Sequence, residues 1–389
     1  IGQPLVLAVI CSFRTCAHLY NMKKVALFLF VMLAGISCEE EETIIAGFNL
    51  DKNLFVEGSE LQSHELTVTA DGDINGPVSV RYEIQAGTAK EDLDIKITEG
   101  VLNFDSGQPS ASFTFEVVGD TNFEITESCV LMLEYNGRQF YSQLDIKDDD
   151  PLPTILEDGD GYYTPDIYPS MQLLWSDEFN DAALNSSNWT HELGNGCNVG
   201  ICGWGNNELE VYTDKAENIR LENGKLVITA IKEAGGGFTS ARIKTENKQE
   251  PKYGRIDVRA KLPKGQGIWP AIWMLGENID VVSWPACGEI DIMELVGHQP
   301  ATVHGTVHYR DDVYKYSSGS KSLTSGDFSE KYHVFTIVWD SNTITWYVDN
   351  VQFKQFLNTG IAGWPFNKSF YFIMNVAVGG NWPGPPDNT

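Results

Sequence analysis

Basic residues are scarce in this sequence of 389 residues, which has 27 lysines and arginines against 54 aspartates and glutamates. The formal net charge is therefore -27 at pH 7. Because contacts to phosphate groups need a basic surface, this charge argues against nucleic acid as a partner. Neutral substrates or cations are the ligands that such a chain favours.

An apolar run of membrane-spanning length is missing from the N-terminal region. The run in "MKKVALFLFVMLAGISC", residues 22–38, is too short for a span and follows two lysines, which predicts a secretory signal. Its ending resembles a bacterial lipoprotein signal peptide, which implies that Cys38 is lipidated. We expect an exported protein that is anchored at the outer membrane or surface of a Gram-negative bacterium, or else secreted. Residues 1–21 are then expected to be upstream sequence that was read through.

Cysteine is infrequent, with seven in the chain. Cys197 and Cys202 in "GNGCNVGICGWGNNE" are close enough for a small disulfide loop in an oxidising compartment. Zinc is the alternative, but it needs four ligands and no second pair lies nearby. Cys129 and Cys287 are predicted to be free, partly buried thiols.

Tryptophan is absent before Trp175, although the chain has ten. This asymmetry and the short alternating segments "PVSVRYEI", "ASFTFEVV" and "CVLMLEY" predict a small β-sandwich over residues 44–150. The proline-rich residues 151–170 are predicted to be a linker. From residue 171 onward alternating segments continue without long helical periodicity, so we expect an all-β chain whose second, larger sandwich covers residues 171–389.

The first sandwich resembles a Calx-β domain in "FVEGSE", "VSVRYEIQAGTAKEDLD", "GVLNFDSGQ", "FEVVGDTNFEITES" and "IKDDD". Members of that family often bind calcium through acidic loops at one end of the sandwich, and oxygen-rich clusters suit this ion. The matching positions are Glu57, Asp92, Asp120 and residues 148–150. The alternative is a solvated acidic face on a spacer module.

The stretch "GEIDIMELVG" carries three acids with unequal spacing. Glu289 and Asp291 share one face of a strand, whereas unbroken alternation would place Glu294 on the other face. A β-bulge at Ile292-Met293 would bring Glu294 back to the face of the other two, and bulges are frequent beside active sites. The alternative is an acidic edge strand that prevents aggregation.

Tryptophans surround this acidic strand. Trp269 and Trp273 lie in "GQGIWPAIWMLG", and Trp284 lies in "SWPACGE". Indole faces stack on the apolar faces of sugar rings, and polar groups at the edges of a cleft bind the hydroxyls. A single tryptophan is more often a core residue, but three beside two glutamates indicate a carbohydrate site.

The motifs "GWGNNELEVYT", "TSARIKT", "YGRIDVRAKLPKGQGIWPAIWML", "WPACGEIDIMELVG", "HGTVHY" and "NVAVGGNWPG" resemble glycoside hydrolase family 16 in its laminarinase-like branch. The resemblance implies a β-jelly roll and retaining hydrolysis. It also implies that Glu289 is the nucleophile, Glu294 the general acid/base and Asp291 the residue that tunes the nucleophile. Two carboxyl groups with different proton affinities are what this chemistry requires.

Other positions are matched by the same resemblance. Asn207 and Arg242 correspond to residues that hydrogen-bond sugar hydroxyls, and His308 to a polar residue near the catalytic pair. Glu178 and the carbonyl of Gly224 match a structural calcium site. The family pattern continues past "NWPG" into a last strand, which supplies an aspartate to that site, so we expect a chain that lacks this strand.

The resemblance therefore implies an endo-β-1,3-glucanase that acts on laminarin-type polysaccharide without a catalytic cofactor. A bound calcium ion would stabilise the protein and would take no part in catalysis. Mixed-linkage β-1,3-1,4-glucan and sulfated galactan are the alternative substrates within the fold. A lectin-like binding module and a metal-dependent nuclease that uses the three acids as Mg²⁺ ligands are the alternatives from other classes.

Overall fold

The computed structural model describes residues 45–85, 87–169 and 171–387, which form β-strands joined by loops and four short helices. The predicted signal segment and Cys38 lie outside this part of the chain. None of the helices that the structure describes has the length and apolar character needed to cross a membrane.

The first part of the chain folds into a β-sandwich. Its strands are β1 (Gly47–Leu50), β2 (Leu54–Val56), β3 (Gln62–Asp71), β4 (Val78–Gln85), β5 (Ile95–Lys96), β6 (Gly100–Phe104), β7 (Ser110–Val117), β8 (Glu127–Tyr135) and β9 (Arg138–Lys147). One sheet has the order β1-β3-β7-β5 and the other β2-β9-β8-β4-β6. Alternating residues such as Leu66, Val68 and Ala70 fill the space between them.

The segment predicted as a linker, residues 151–170, is ordered where the structure describes it. It contains the hairpin of β10 (Leu156–Asp158) and β11 (Gly161–Tyr163). The amide of Tyr162 donates to the carbonyl of Tyr332, and the amide of Tyr332 donates to the carbonyl of Asp160, both at 2.9 Å. The segment is therefore hydrogen-bonded to the second sandwich.

The second sandwich is larger. Its strands are β12 (Thr190–Glu192), β13 (Glu210–Tyr212), β14 (Ile219–Leu221), β15 (Leu226–Ile228), β16 (Ile231–Lys232), β17 (Phe238–Ser240), β18 (Arg242–Lys244), β19 (Gly254–Ala260), β20 (Ile268–Gly276), β21 (Glu289–Glu294), β22 (Thr302–Asp311), β23 (Val313–Ser322), β24 (His333–Trp339), β25 (Thr343–Val348), β26 (Val351–Leu357) and β27 (Phe370–Val378). The helices are α1 (Ile279–Val282) and three 3₁₀ turns, Cys197–Val199, Cys202–Gly205 and Pro365–Asn367.

Two sheets of this sandwich pack face to face. Seven strands have the order β12-β18-β27-β20-β21-β22-β23, and four strands have the order β19-β24-β25-β26. The core between them holds the buried rings of Trp339, Trp346, Phe335 and Phe370. Strands from distant parts of the chain lie side by side in both sheets, as in a jelly roll, so the predicted all-β fold is confirmed. We call the side of the seven-stranded sheet that faces away from this core the open face.

The predicted disulfide between Cys197 and Cys202 is confirmed. Cys129 and Cys287 are free, as predicted, but each is fully rather than partly buried. The reason is that each lies within an apolar cluster of its own sandwich. Burial raises the pKa of the Cys129 thiol to about 11, so it remains protonated.

Candidate active site

The acidic strand β21 is interrupted by an irregular pairing. On the neighbouring strand β22, Asp291 pairs with Thr306 and Glu294 pairs with His304. Two residues of β21 therefore lie opposite a single residue of β22, and the predicted bulge at Ile292-Met293 is confirmed. β21 is the third strand from one end of the seven-stranded sheet, so the alternative of an acidic edge strand is wrong.

The bulge is supported from the core side. The side chains of Ile292 and Met293 are both buried in the core. From the facing sheet, the Nε1–H of Trp346 donates to the carbonyl of Asp291 at 2.8 Å, which satisfies a backbone acceptor next to the disrupted pairing. Gly305 lies opposite the bulge, and a Cβ there would be only 2.4 Å from Cδ1 of Trp346. The facing sheet thus contributes to the shape of the acidic strand.

The two outer acids each accept a hydrogen bond from an indole. The Nε1–H of Trp284 donates to Oε2 of Glu289 at 2.7 Å. The Nε1–H of Trp269 donates to Oε1 of Glu294 at 3.0 Å. Two of the three tryptophans predicted to bind sugar therefore also orient the carboxyl groups, a role that the sequence did not reveal.

His308 lies beside the acids, where the resemblance placed it. Its Nε2 is 3.3 Å from Oδ2 of Asp291 and 3.7 Å from Oε1 of Glu289, and its Nδ1 is 2.8 Å from the hydroxyl of Tyr314. Potential ligand atoms of Glu289, Asp291 and His308 lie within 4.8 Å of one another, so this group could also hold a cation. The role of His308 in catalysis stays a prediction.

Burial and mutual repulsion govern the charges of the three acids. Burial, followed by the charge of Asp291, raises the pKa of Glu289 to about 8. Burial likewise raises the pKa of Asp291, whose carboxyl group is hydrogen-bonded to that of Glu289. The pKa of Glu294 lies well above its usual range because of burial and the charges of the other two acids. The site therefore retains protons near neutral pH and can supply both an acid and a base.

Trp273 is held on the open face by a chain of buried polar groups. Its Nε1–H donates to Oδ1 of Asn375 at 2.8 Å, and Nδ2 of Asn375 donates to the hydroxyl of Tyr212 at 3.1 Å. The Tyr212 hydroxyl in turn donates to Oε2 of Glu208 at 3.3 Å. Sequence reasoning missed Asn375 and Tyr212, because a hydrogen bond between residues 163 positions apart leaves no local pattern.

The whole side chain of Arg242 is buried, although the resemblance predicted contact with sugar hydroxyls. Its guanidinium forms an ion pair with Glu192 and lies over the rings of Trp204 and Trp273, 4.3 and 4.9 Å from their centroids. The structure thus makes it a support for Trp273, and direct sugar binding by Arg242 stays a prediction. Asn207 is exposed, and its amide donates to Oδ1 of Asn381 at 2.8 Å.

Three aromatic residues near the acids, Trp382, Tyr314 and Tyr316, were not singled out from the sequence. Trp382 packs edge-on against Trp269 and His304, with centroids 5.5 and 5.0 Å apart. Tyr314 and Tyr316 stack with His308 on the other side of the acids. The alternation in "VYKYS" was the available signal for the two tyrosines, since it places them on one face of a strand.

The predicted calcium ligands are distributed over two regions. Glu178 is exposed, and Gly224 occupies the β14–β15 turn at φ +66°, next to the side chain of Asn180. In the first sandwich, Glu57 is buried and its pKa rises to about 7, mainly through burial and next through the charge of Glu124. Calcium binding at either place stays a prediction.

A different acidic group comes together in the first sandwich. Asp94, Glu124 and Glu127 have carboxylate oxygens within 4.8 Å of one another, and none of them was chosen from the sequence. Burial, followed by interaction with Asp94, raises the pKa of Glu127 to about 9. Loops that are distant in sequence converge here, which is why local motifs did not indicate it.

Comparison with known proteins agrees with this geometry. The sequence profile of glycosyl hydrolases family 16 matches residues 205–389. The chain is 38% identical over 259 residues to a glucan endo-1,3-beta-glucosidase A1 of Niallia circulans, covering 60% of this chain and 38% of that relative. It is 41% identical over 235 residues to a beta-glucanase of Rhodothermus marinus, covering 56% of this chain and 79% of that relative.

A solved structure gives the same result. The laminarinase catalytic domain of Thermotoga maritima is 48% identical, with a TM-score of 0.51, over 56% of this chain and 91% of that domain. The resemblance of the second sandwich to glycoside hydrolase family 16 in its laminarinase-like branch is thereby confirmed. On the family profile, on the identity to a relative covered over most of its length and on the bulged acidic strand, the chain belongs to glycosyl hydrolases family 16.

Proposed function

We propose that this protein cleaves β-1,3-glucan within the chain and retains the anomeric configuration. The observation that carries the proposal is the arrangement on β21, where Glu289 and Glu294 lie on the open face, each fixed by an indole N–H, with Asp291 between them. Relatives named as glucan endo-1,3-beta-glucosidases and laminarinases support the choice of substrate.

In the first step Glu294, whose raised pKa keeps it protonated, gives its proton to the glycosidic oxygen as the bond to the anomeric carbon breaks. A carboxylate oxygen of Glu289 forms the new bond to that carbon from the opposite face, and a glycosyl ester results. The Nε1–H of Trp284 and His308 both favour the ionised form of Glu289 that this attack requires.

In the second step the carboxylate of Glu294 accepts a proton from water, whose oxygen attacks the anomeric carbon and displaces Glu289. Two inversions give a product with the starting β-configuration. Asp291 raises the pKa of Glu289 through its charge and through the hydrogen bond between the two carboxyl groups, so it sets the pH at which Glu289 becomes ionised. Asp291 thereby tunes the nucleophile.

The remaining parts of the proposal concern the whole chain. The signal segment ending at Cys38 supports export with a lipid anchor, and the motifs of residues 44–150 support a Calx-β-like domain between the anchor and the enzyme. The motif matches at Glu178 and Gly224 support a calcium ion that stabilises the fold. No catalytic cofactor is needed for a reaction carried by two carboxyl groups.

The decisive experiment replaces each acid by its amide. Glu289→Gln and Glu294→Gln should each lower kcat on laminarin by about a thousandfold, since each removes a nucleophile or a proton donor without changing shape. Glu277→Gln is the matched control, because Glu277 is an exposed glutamate just after β20. Release of reducing sugar is measured, and proton NMR of fresh product should show the β-anomer first. Normal activity of either variant would overturn the assignment.

A further inference from the structure

Three aromatic side chains form an exposed surface next to Glu289, and we call Trp284, Tyr314 and Tyr316 the aromatic platform. Their exposed fractions are 46%, 47% and 64%. The ring centroids of Trp284 and Tyr314 are 5.2 Å apart, and those of Tyr314 and Tyr316 are 6.2 Å apart. These distances are typical of aromatic rings in contact, so the three side chains make one continuous surface.

Packing of the fold does not account for this surface. Tyr314 and Tyr316 lie on β23, the terminal strand of the seven-stranded sheet, and they point to the same face because they are two residues apart. Lys315 between them points to the other face, where it forms an ion pair with Asp311 at 2.7 Å. Large aromatic rings left in solvent bury little area on folding, and a continuous patch of them indicates a ligand.

The platform is continuous with the candidate active site. The Nε1–H of Trp284 donates a hydrogen bond to Glu289. The ring of His308 lies beside the acids and stacks with both tyrosines. In the sheet register, Glu289 pairs with His308, which pairs with Tyr316. Tyr316 is therefore two strands away from Glu289, about 10 Å across the sheet. A chain bound at Glu289 that runs across the strands on this side must pass over the platform.

We propose that the aromatic platform binds a glucosyl residue of the substrate beyond the residue that is cleaved, and that it makes the enzyme prefer long chains. The ring faces match the apolar faces of a pyranose, and the tyrosine hydroxyls can bind sugar hydroxyls. This inference rests on the proposed hydrolysis of β-1,3-glucan. It adds two tyrosines of the edge strand β23 to the substrate-binding residues. The acids and the tryptophans around them all lie outside that strand.

Tyr316→Ala tests the platform most cleanly, because Tyr314 also contacts His308 through a hydrogen bond at 2.8 Å. We expect kcat/KM on long β-1,3-gluco-oligosaccharides to fall by about three- to tenfold, the effect of one aromatic contact, with little change on the shortest substrate that is cleaved. Tyr316→Phe should stay close to wild type. Tyr141→Ala is the matched control, since Tyr141 is 56% exposed on the first sandwich.

Cleavage positions in an end-labelled oligosaccharide give a second readout. Loss of the platform should shift the preferred bond, because chains lose one anchoring point on one side of the acids. An unchanged chain-length preference, or an equal loss at all lengths with unchanged cleavage positions, would overturn the inference. Failure of the wild-type protein to cleave any β-1,3-glucan would instead contradict the proposed function, so the two failures are distinguishable.

Discussion

Among the single residues of the site, Asp291 has the largest effect on the pKa values of its neighbours. Its charge raises the pKa of both Glu289 and Glu294, and the residue is only 2% exposed. The proposed mechanism needs Glu289 ionised and Glu294 protonated, so the two flanks of the pH profile report these two acids. A change at Asp291 must therefore move both flanks.

We expect Asp291→Asn to shift the whole pH profile of kcat/KM to lower pH. Removing a negative neighbour lowers both pKa values, so Glu289 becomes ionised at lower pH and Glu294 also loses its proton at lower pH. The control is Asp340→Asn, because Asp340 is a buried acid in the turn between β24 and β25. A profile that narrows or moves to higher pH would contradict this account of Asp291.

At the level of elements, the bulge in β21 decides which face Glu294 occupies. It lies between Asp291 and Glu294 in the pairing with both neighbouring strands. Deleting one of its two residues leaves spacings of two and two between the acids, so regular alternation would still place all three on the open face. With the extra residue present, the bulge is needed to keep Glu294 on the open face. Without the extra residue, no bulge is needed.

Deletion of Met293 should therefore give a folded protein with measurable retaining activity. We expect a loss of up to about a hundredfold, the effect of a displacement of roughly 1 Å at a catalytic group. Deletion of Ile292 is the matched variant, since it restores the same register, and it should behave alike. Circular dichroism checks the fold, and reducing-sugar release measures activity. A folded but inactive pair of variants would show that the bulge geometry itself is indispensable.

At the level of the whole molecule, the first sandwich meets the second away from the acids. Nδ2 of Asn342, in the turn between β24 and β25, donates to Oδ2 of Asp145 at 3.0 Å. The hydroxyl of Tyr168, from the segment between the sandwiches, donates to Asp257 of the four-stranded sheet at 2.6 Å. These hydrogen bonds involve the sheet opposite the open face, and each sandwich has its own apolar core.

Removal of residues 44–150 should leave kcat on soluble oligosaccharides unchanged within about twofold, because the first sandwich bonds to the second at a place remote from the acids. Removal of residues 44–170 is the comparison, since it also takes away the hairpin bound to Tyr332. We expect this longer deletion to lower Tm by about 4 °C or more relative to the shorter one, the effect of roughly 1–2 kcal/mol. A large fall in kcat for the shorter deletion would show that the first sandwich contributes to the site.

The sequence by itself determined the features that depend on local pattern. Period-two alternation determined the all-β class, and the unequal spacing of the three acids determined the bulge. Aspartate and asparagine tolerate positive φ, and Asp349 and Asn350 both adopt it in the tight turn between β25 and β26. Two cysteines five positions apart were close enough for a disulfide. In each case the physical cause acts over a few neighbouring residues.

The tertiary structure alone decided which distant groups meet. It brought the indole N–H groups of Trp269 and Trp284 to the carboxylates, buried Arg242 beneath Trp273, and placed Trp346 of the facing sheet against the bulge. It also raised the pKa of Glu294, because desolvation depends on everything packed around a group. Such contacts depend on strand order and sheet packing, which sequence spacing does not encode, so the acids could be predicted from the sequence while their charges could not.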